Sequence, residues 1–71
     1  MKANKFVISG LDDPKNISNI ENSIISNDGI NAVRVDMQAS TVTVDYDEGR
    51  YSEKDIEKFV NQAGLSVVKI K

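Results

Sequence analysis

The spacing of apolar residues changes repeatedly along this chain of only 71 residues. Some stretches alternate apolar and polar side chains, which is typical of a half-buried strand, and others repeat them every three to four positions, which is typical of an amphipathic helix. Taken in chain order, the patterns predict strand, helix, strand, strand, helix and strand. The six predicted elements cover residues 5–9, 13–26, 30–37, 41–46, 52–63 and 65–70.

This order predicts one α+β domain, residues 1–71, with a ferredoxin-like fold: an antiparallel four-stranded sheet with two helices on one face. The second and third strands are separated by a short turn, which favours a hairpin. Because each crossover connection is right-handed, both helices are expected to pack on the same sheet face. The other face would be open to solvent, and its expected residues are polar: Arg34, Asp36, Thr41, Thr43 and Asp45.

Sequence signals mark the predicted helix ends. The pair Asp13-Pro14 favours a helix start, since Asp accepts hydrogen bonds from free backbone N–H groups and Pro fits the first helical position. Ser52 with Asp55 three residues later predicts a capping box. Gly29 and Gly64 are expected to end the two helices. The predicted core comprises Phe6, Ile8, Ile17, Ile20, Ile24, Ile25, Val33, Val35, Met37, Val42, Val44, Tyr46, Ile56, Phe59, Val60 and Ala63.

The composition argues against several functions. The chain has no cysteine and no histidine, so it lacks thiolate ligands, disulfides and the commonest general base. Its formal charge of −2 does not favour nucleic acid as a partner. The predicted open sheet face has no aromatic residue on which a base would stack, because Phe6 and Tyr46 fall on the core side. The carboxylates of Asp45, Asp47 and Glu48 are interpreted as solvated, and no enzymatic activity is expected.

The first residues of the chain lack the apolar run of a signal peptide, and no segment approaches the length of a membrane span. We therefore expect a cytoplasmic protein without membrane insertion.

Four stretches of the chain resemble the heavy-metal-associated domain family, which includes copper chaperones and the N-terminal modules of metal-pumping ATPases. That family reads Gly-Met-Thr-Cys-x-x-Cys-x-x-x-Ile-Glu at its first corner, and residues 10–21 of this chain align with the motif without a gap. Residues 29–37 are similar to the family's Gly-Val-x-x-Val-x-Val-Asn-Leu. Residues 41–47 are similar to its Val-Thr-Val-x-Tyr-Asp strand, and residues 63–65 replace its Ala-Gly-Tyr or Ala-Gly-Phe.

The chain departs from the family where the family binds metal. Asp13 and Asn16 occupy the places of the two cysteines, and Leu65 replaces the aromatic residue that shields the metal loop. Monovalent copper prefers soft sulfur ligands, whereas these two side chains offer hard oxygen. The resemblance therefore implies a relative of metal chaperones and metal-transport modules without the thiolate site, and no cofactor is expected.

The resemblance also implies where the chain would contact another protein, such as a metal-transport module. An acidic first corner would suit a basic partner surface. By resemblance, the docking residues are Leu11, Asp12, Asp13, Pro14, Lys15, Ile17, Ile20, Ala63, Gly64 and Leu65.

Two alternatives remain open. Asp12, Asp13 and Asn16 offer oxygens that would bind a hard metal cation at the first corner, although calcium wants six to eight oxygens. Their other interpretation is structural, with Asp13 as a helix N-cap and the other two as solvated residues. The last alternative is a structural or regulatory module that self-associates along an edge strand or across the open sheet face.

Overall fold

Six elements follow one another in the predicted order in a computed structural model of the chain. The structure describes residues 2–10, 15 and 17–71. The predicted fold class, a ferredoxin-like α+β arrangement with one antiparallel sheet and two helices, is confirmed. The elements are β1 (Lys2–Ser9), α1 (Ile17–Ile25), β2 (Ile30–Asp36), β3 (Thr41–Tyr46), α2 (Glu53–Gln62) and β4 (Ser66–Ile70).

The four strands form one sheet in the order β2-β3-β1-β4, with every neighbouring pair antiparallel. The strands β3 and β1 are therefore internal, and β2 and β4 are the edges. The pairing of β1 with β4 shifts between Val7 and Ile8, which face Lys69 and Val67 respectively. Val68 is passed over in this register, and it is 64% exposed.

One sheet face and the two helices enclose a single apolar core. Alternate residues of β1 and β3 point into it, because successive side chains on a strand face opposite sides. The helices add two buried residues each, spaced four apart, as expected for one face of a helix. The core residues are Phe6, Ile8, Ile20, Ile24, Ile30, Val42, Val44, Tyr46, Ile56, Val60 and Leu65.

Several residues differ from the predicted burial. Ile17, predicted in the core, is half-buried outside the core cluster, whereas Ile30 and Leu65 lie in the core without having been predicted there. Ile25, predicted in the core, is 43% exposed, because it lies about 100° around α1 from the fully buried Ile24. Thr41 was predicted on the open face and is buried, because it pairs with residues on both neighbouring strands of the internal strand β3. Met37 was predicted as a core residue of the second strand. It follows the end of β2 in the hairpin turn and is half-buried outside the core cluster.

The described part of α1 ends at Ile25, one residue before the predicted end at residue 26. The predicted start at Asp13-Pro14 lies outside the described residues. At the other end, the Asn27 side-chain amide donates to the carbonyl of Ile24 at 2.9 Å and so satisfies a free carbonyl of the last turn. Gly29, predicted as the helix cap, instead belongs to the turn that leads into β2.

The capping box predicted for the second helix is confirmed. The Asp55 backbone N–H donates to the Ser52 hydroxyl at 3.2 Å, and the Ser52 backbone N–H donates to the Asp55 carboxylate at 2.9 Å. These two reciprocal bonds satisfy backbone donors that the first turn leaves free. They fix where α2 begins, and therefore where its other end meets the sheet.

Candidate functional site

Three connections meet at one end of the sheet, because the chain reverses direction at each antiparallel strand. They are the β1–α1 connection, the β2–β3 hairpin turn and the α2–β4 connection. The Ile8 backbone N–H donates to the carbonyl of Ser40 at 2.9 Å, which fastens the hairpin to β1. A β-carbon built on Gly10 would lie 3.9 Å from the carbonyl oxygen of Gly64. Gly10, which follows β1, and the α2–β4 connection are therefore neighbours at this end.

The α2–β4 connection is a Schellman motif, a common way to end a helix with a left-handed residue. Gly64 takes a φ of +99°, and its N–H donates to the carbonyl of Asn61 at 3.0 Å. The next N–H, that of Leu65, donates to the carbonyl of Val60 at 3.4 Å. Leu65 and Val60 are both buried, which adds the apolar contact usual in this motif. The motif places the Gly64 backbone at the surface beside β1.

The docking residues implied by resemblance divide into surface and core positions. Lys15 and Gly64 are exposed, and Ile17 and Ala63 are half-buried. The side chains of Ile20 and Leu65 are buried, so they would pack below this surface and would not contact a partner directly. The remaining four docking residues lie outside the described residues: Leu11, Asp12, Asp13 and Pro14. The metal candidate Asn16 lies outside them as well.

The oxygen donors considered for a hard cation stay a prediction. Asp12, Asp13 and Asn16 lie outside the part of the chain that the structure describes. Within residues 2–10, 15 and 17–71, no three carboxylates lie close enough together to hold a metal ion. A hard-cation site at this corner would therefore depend on those three side chains.

The hairpin turn is a part of this end that the sequence interpretation did not include in the site. Asp36 closes the turn by accepting a hydrogen bond from the Ala39 backbone N–H at 3.1 Å. Ser40 takes a left-handed φ of +53°, which is uncommon for a residue with a β-carbon. The signal was present in the predicted strand order, because an antiparallel β-α-β-β-α-β chain brings this turn to the same end as the first corner.

Among the residues that the structure describes, the groups with a shifted pKa lie at the opposite end of the sheet. The Arg50 guanidinium bonds to Asp28 at 2.8 Å and, with its charge, lowers the pKa of that carboxyl. The hydrogen bonds from Ser52 lower the pKa of Asp55. Burial raises the pKa of Tyr46, and the negative charges of nearby glutamates add to this effect. These groups hold loops and helix ends together and do not converge on a cleft where acid–base chemistry would take place.

Known proteins that are similar to this chain point to the same family. The family model of the heavy-metal-associated domain matches residues 5–65. The copper chaperone CopZ of Bacillus subtilis (strain 168) is 29% identical over 69 residues, which cover 97% of this chain and 100% of that protein.

Solved structures agree on the fold. A copper binding domain from HMA7, a P-type ATPase, superposes with a TM-score of 0.86 at 16% identity, covering 100% of this chain and 99% of that one. The N-terminal domain of a potential copper-translocating P-type ATPase from Bacillus subtilis gives a TM-score of 0.79 at 23% identity, with 100% and 92% covered.

The described helices are too short and too polar for any of them to cross a membrane. The family match begins within β1 and ends at Leu65, directly before β4, so it includes the β1–α1 and α2–β4 connections. The strand order, the Schellman corner and the sequence match all agree, and the chain belongs to the heavy-metal-associated domain family.

Proposed function

We propose that this chain is a heavy-metal-associated domain that acts by binding another protein and does not carry monovalent copper through thiolates. The observation that carries the proposal is the donor set. Asp13 and Asn16 stand where the family has its two cysteines, and the 71 residues contain no cysteine or histidine. Carboxylate and amide oxygens are hard ligands and do not fit monovalent copper, which favours sulfur. The proposed role is non-catalytic.

The retained backbone frame supports a docking role. The Schellman motif places the exposed Gly64 close to Gly10. A docking surface formed by the β1–α1 and α2–β4 connections together would need these two glycines to be neighbours. Half-buried Ile17 and Ala63 offer apolar surface there, and exposed Lys15 adds a polar rim. Apolar patches with polar rims are common at protein–protein interfaces. The proposed partner is a metal-transport module that presents a basic surface to Asp12 and Asp13.

The metal part of the proposal is tested by titrating the isotope-labelled protein with monovalent copper and then with zinc, calcium and magnesium. We expect no saturating change in the amide signals of residues 11–17. Changes that saturate near one equivalent of any of these ions would overturn this part. They would instead support metal binding or transport through oxygen ligands at residues 12–16.

The docking part is tested by co-purification with the tagged chain from its native cells, followed by binding measurements with the purified partner. Asp12→Lys combined with Asp13→Lys should weaken the complex at least about tenfold, because two favourable charges become repulsive. The matched control is Asp45→Lys combined with Glu57→Lys, which changes the net charge equally at positions away from the corner.

Equal losses in the two double variants would show that the partner responds to net charge and not to this corner. Gel filtration of the chain alone provides a further check. Elution as a stable dimer, with the complex unaffected by either pair of substitutions, would favour the self-associating module instead.

A further inference from the structure

The open face of the sheet carries a concentration of positive charge that the protein's composition conceals. Strand pairing aligns Arg34, Thr43 and Lys5 in one row across β2, β3 and β1. Lys71 extends this row, because its backbone N–H donates to the carbonyl of Lys5 at 2.8 Å. Lys69 lies in the adjacent row, opposite Val7. Since neighbouring strands are about 5 Å apart, these cations lie within one small patch.

The patch has the opposite sign to the rest of the chain. Its four basic residues share the face with two acidic ones, Asp36 and Asp45, which gives the face a net charge of +2. The whole chain carries −2, so the other residues together carry −4. Arg34, Lys5, Lys69 and Lys71 are exposed, and none of the four forms an ion pair with a carboxylate of the described residues.

The shape of the face leaves these charged side chains accessible to a partner. A shallow depression of about 510 Å³ is bordered by Lys5, Arg34 and Thr43, and it continues past Asp36 to the hairpin turn. The next row toward the other end consists of Ala32, Asp45 and Ala3, in which two of the three side chains are small. A partner segment would therefore approach the sheet closely beside the charged row.

We propose that this cationic sheet face binds an acidic segment of another protein. Charge complementarity identifies the occupant. Ammonium and guanidinium groups that have no carboxylate partner among the described residues attract carboxylates, and Arg in particular binds them through two parallel hydrogen bonds. The two carboxylates on the face set the register of a mixed-charge polypeptide by repelling misplaced acidic residues.

The same face is poorly suited to other polyanions. A single nucleic acid strand binds through stacking on aromatic side chains, and Phe6 and Tyr46, the aromatic residues of β1 and β3, are buried on the other side of the sheet. An overall charge of −2 also opposes attraction to a nucleic acid or an anionic membrane at long range. A protein segment, which carries fewer charges, is favoured by these observations.

The proposal goes beyond the docking function, which uses the end of the sheet and a basic partner. The two surfaces differ in the sign of their charge, and they adjoin, because the depression beside the cationic row extends to the docking residue Ile17. A module with both would bind an acidic and a basic protein surface at the same time.

The test uses a peptide of about ten glutamates as the probe and follows the amide signals of the isotope-labelled chain. We expect the largest changes at Lys5, Arg34, Thr43 and Lys69. The dissociation constant should rise by at least about tenfold between about 25 and about 250 mM salt, because exposed charges are screened over shorter distances at higher salt.

Two charge-matched variants make the test specific. Lys5→Glu combined with Arg34→Glu should weaken binding by at least about tenfold, since both attractive charges become repulsive. Lys54→Glu combined with Lys58→Glu makes the same change in net charge on exposed residues of α2, and it should alter binding less than about twofold. Circular dichroism verifies that both variants fold.

Several results would overturn the proposal. One is signal changes centred on α2, and another is equal losses in the two variants. Absence of binding at millimolar peptide is a third. An oligothymidylate or phosphatidylserine-containing vesicles that bound this face more tightly than the peptide would assign it to a different class of partner.

Discussion

The Tyr46 hydroxyl donates a hydrogen bond of 2.5 Å to Oδ1 of Asn4, and the Asn4 amide donates in turn to Oε2 of Glu53 at 2.6 Å. Asn4 is 7% exposed and Tyr46 is 1% exposed. The two bonds join β3, β1 and the first turn of α2 at the end of the sheet opposite the candidate site. A buried amide would be unfavourable without partners, and here both its oxygen and its nitrogen have one.

Removing the Tyr46 hydroxyl should destabilise the fold. We expect Tyr46→Phe to lower the free energy of unfolding by about 1–2 kcal/mol, because Oδ1 of the buried Asn4 loses its donor. Urea denaturation followed by circular dichroism measures this change. The matched control is Tyr51→Phe, since the Tyr51 hydroxyl donates to the Asp28 carbonyl in exposed surroundings, where water replaces it. Equal losses in the two variants would contradict a special role for the buried bond.

Stability should also depend on alkaline pH through Tyr46. Burial raises the pKa of Tyr46 in the folded chain above its usual value of 10.0, and the charges of Glu53 and Glu48 add to the shift. The unfolded chain therefore ionises first as the pH rises, so the stabilisation is complete below about pH 10 and is lost above it. Unfolding free energies from about pH 8 to about pH 11 should fall more for the native chain than for Tyr46→Phe. If the free energies of unfolding of the native chain and of Tyr46→Phe fell equally with pH, groups other than Tyr46 would account for the whole pH dependence of stability.

Alanine substitution of two left-handed glycines should separate backbone strain from side-chain collision. Gly64 has a φ of +99° and open space around a β-carbon, so Gly64→Ala should lower stability by about 1–2 kcal/mol through strain alone. Gly29 has a φ of +93°, and a β-carbon there would lie 2.9 Å from Cε2 of Tyr51. We expect Gly29→Ala to lower the melting temperature further than Gly64→Ala does. The reverse order would mean that the Tyr51 ring moves aside freely.

Thiolate ligands should restore a copper site if only the donors have changed. We expect Asp13→Cys combined with Asn16→Cys to bind monovalent copper at one equivalent, because two soft ligands return to the family's positions. Either single variant provides the control and should bind far more weakly. Competition with a copper chelator measures the affinity. A double variant that folds and still fails to bind would show that the surrounding loop has also lost the ability to hold the metal.

Local patterns were sufficient for most of the fold. The bounds of β3 and the capping box of Ser52 match their predictions, because strand alternation and capping depend on residues close in sequence. Burial of Thr41 depends on strands on both sides, and the exposure of Ile25 depends on which face of α1 meets the sheet. Asn4 was missed altogether because its two partners lie 42 and 49 positions away in the chain.

The candidate site was less predictable than the fold. Its end of the sheet followed from the strand order, and the resemblance named Gly64 and Ala63 as part of it. The contribution of Ser40 had no local signal, because a serine in the left-handed region has no distinctive sequence pattern. The cationic row of Lys5, Thr43 and Arg34 is likewise hidden, since three residues far apart in the chain become neighbours only through strand register.

The register shift opposite Val68 has a consequence for aggregation. An edge strand with a regular ladder offers its free N–H and C=O groups to any extended chain, and a bulge interrupts that ladder. Here the irregularity falls within β4, only five residues long, and Lys69 follows it directly. A strand that paired with this edge would find the row of free N–H and C=O groups interrupted. It would also have to bury the charge of Lys69. Val68, the most exposed large apolar residue of the described sheet, thus lies where the edge itself resists amyloid-like growth.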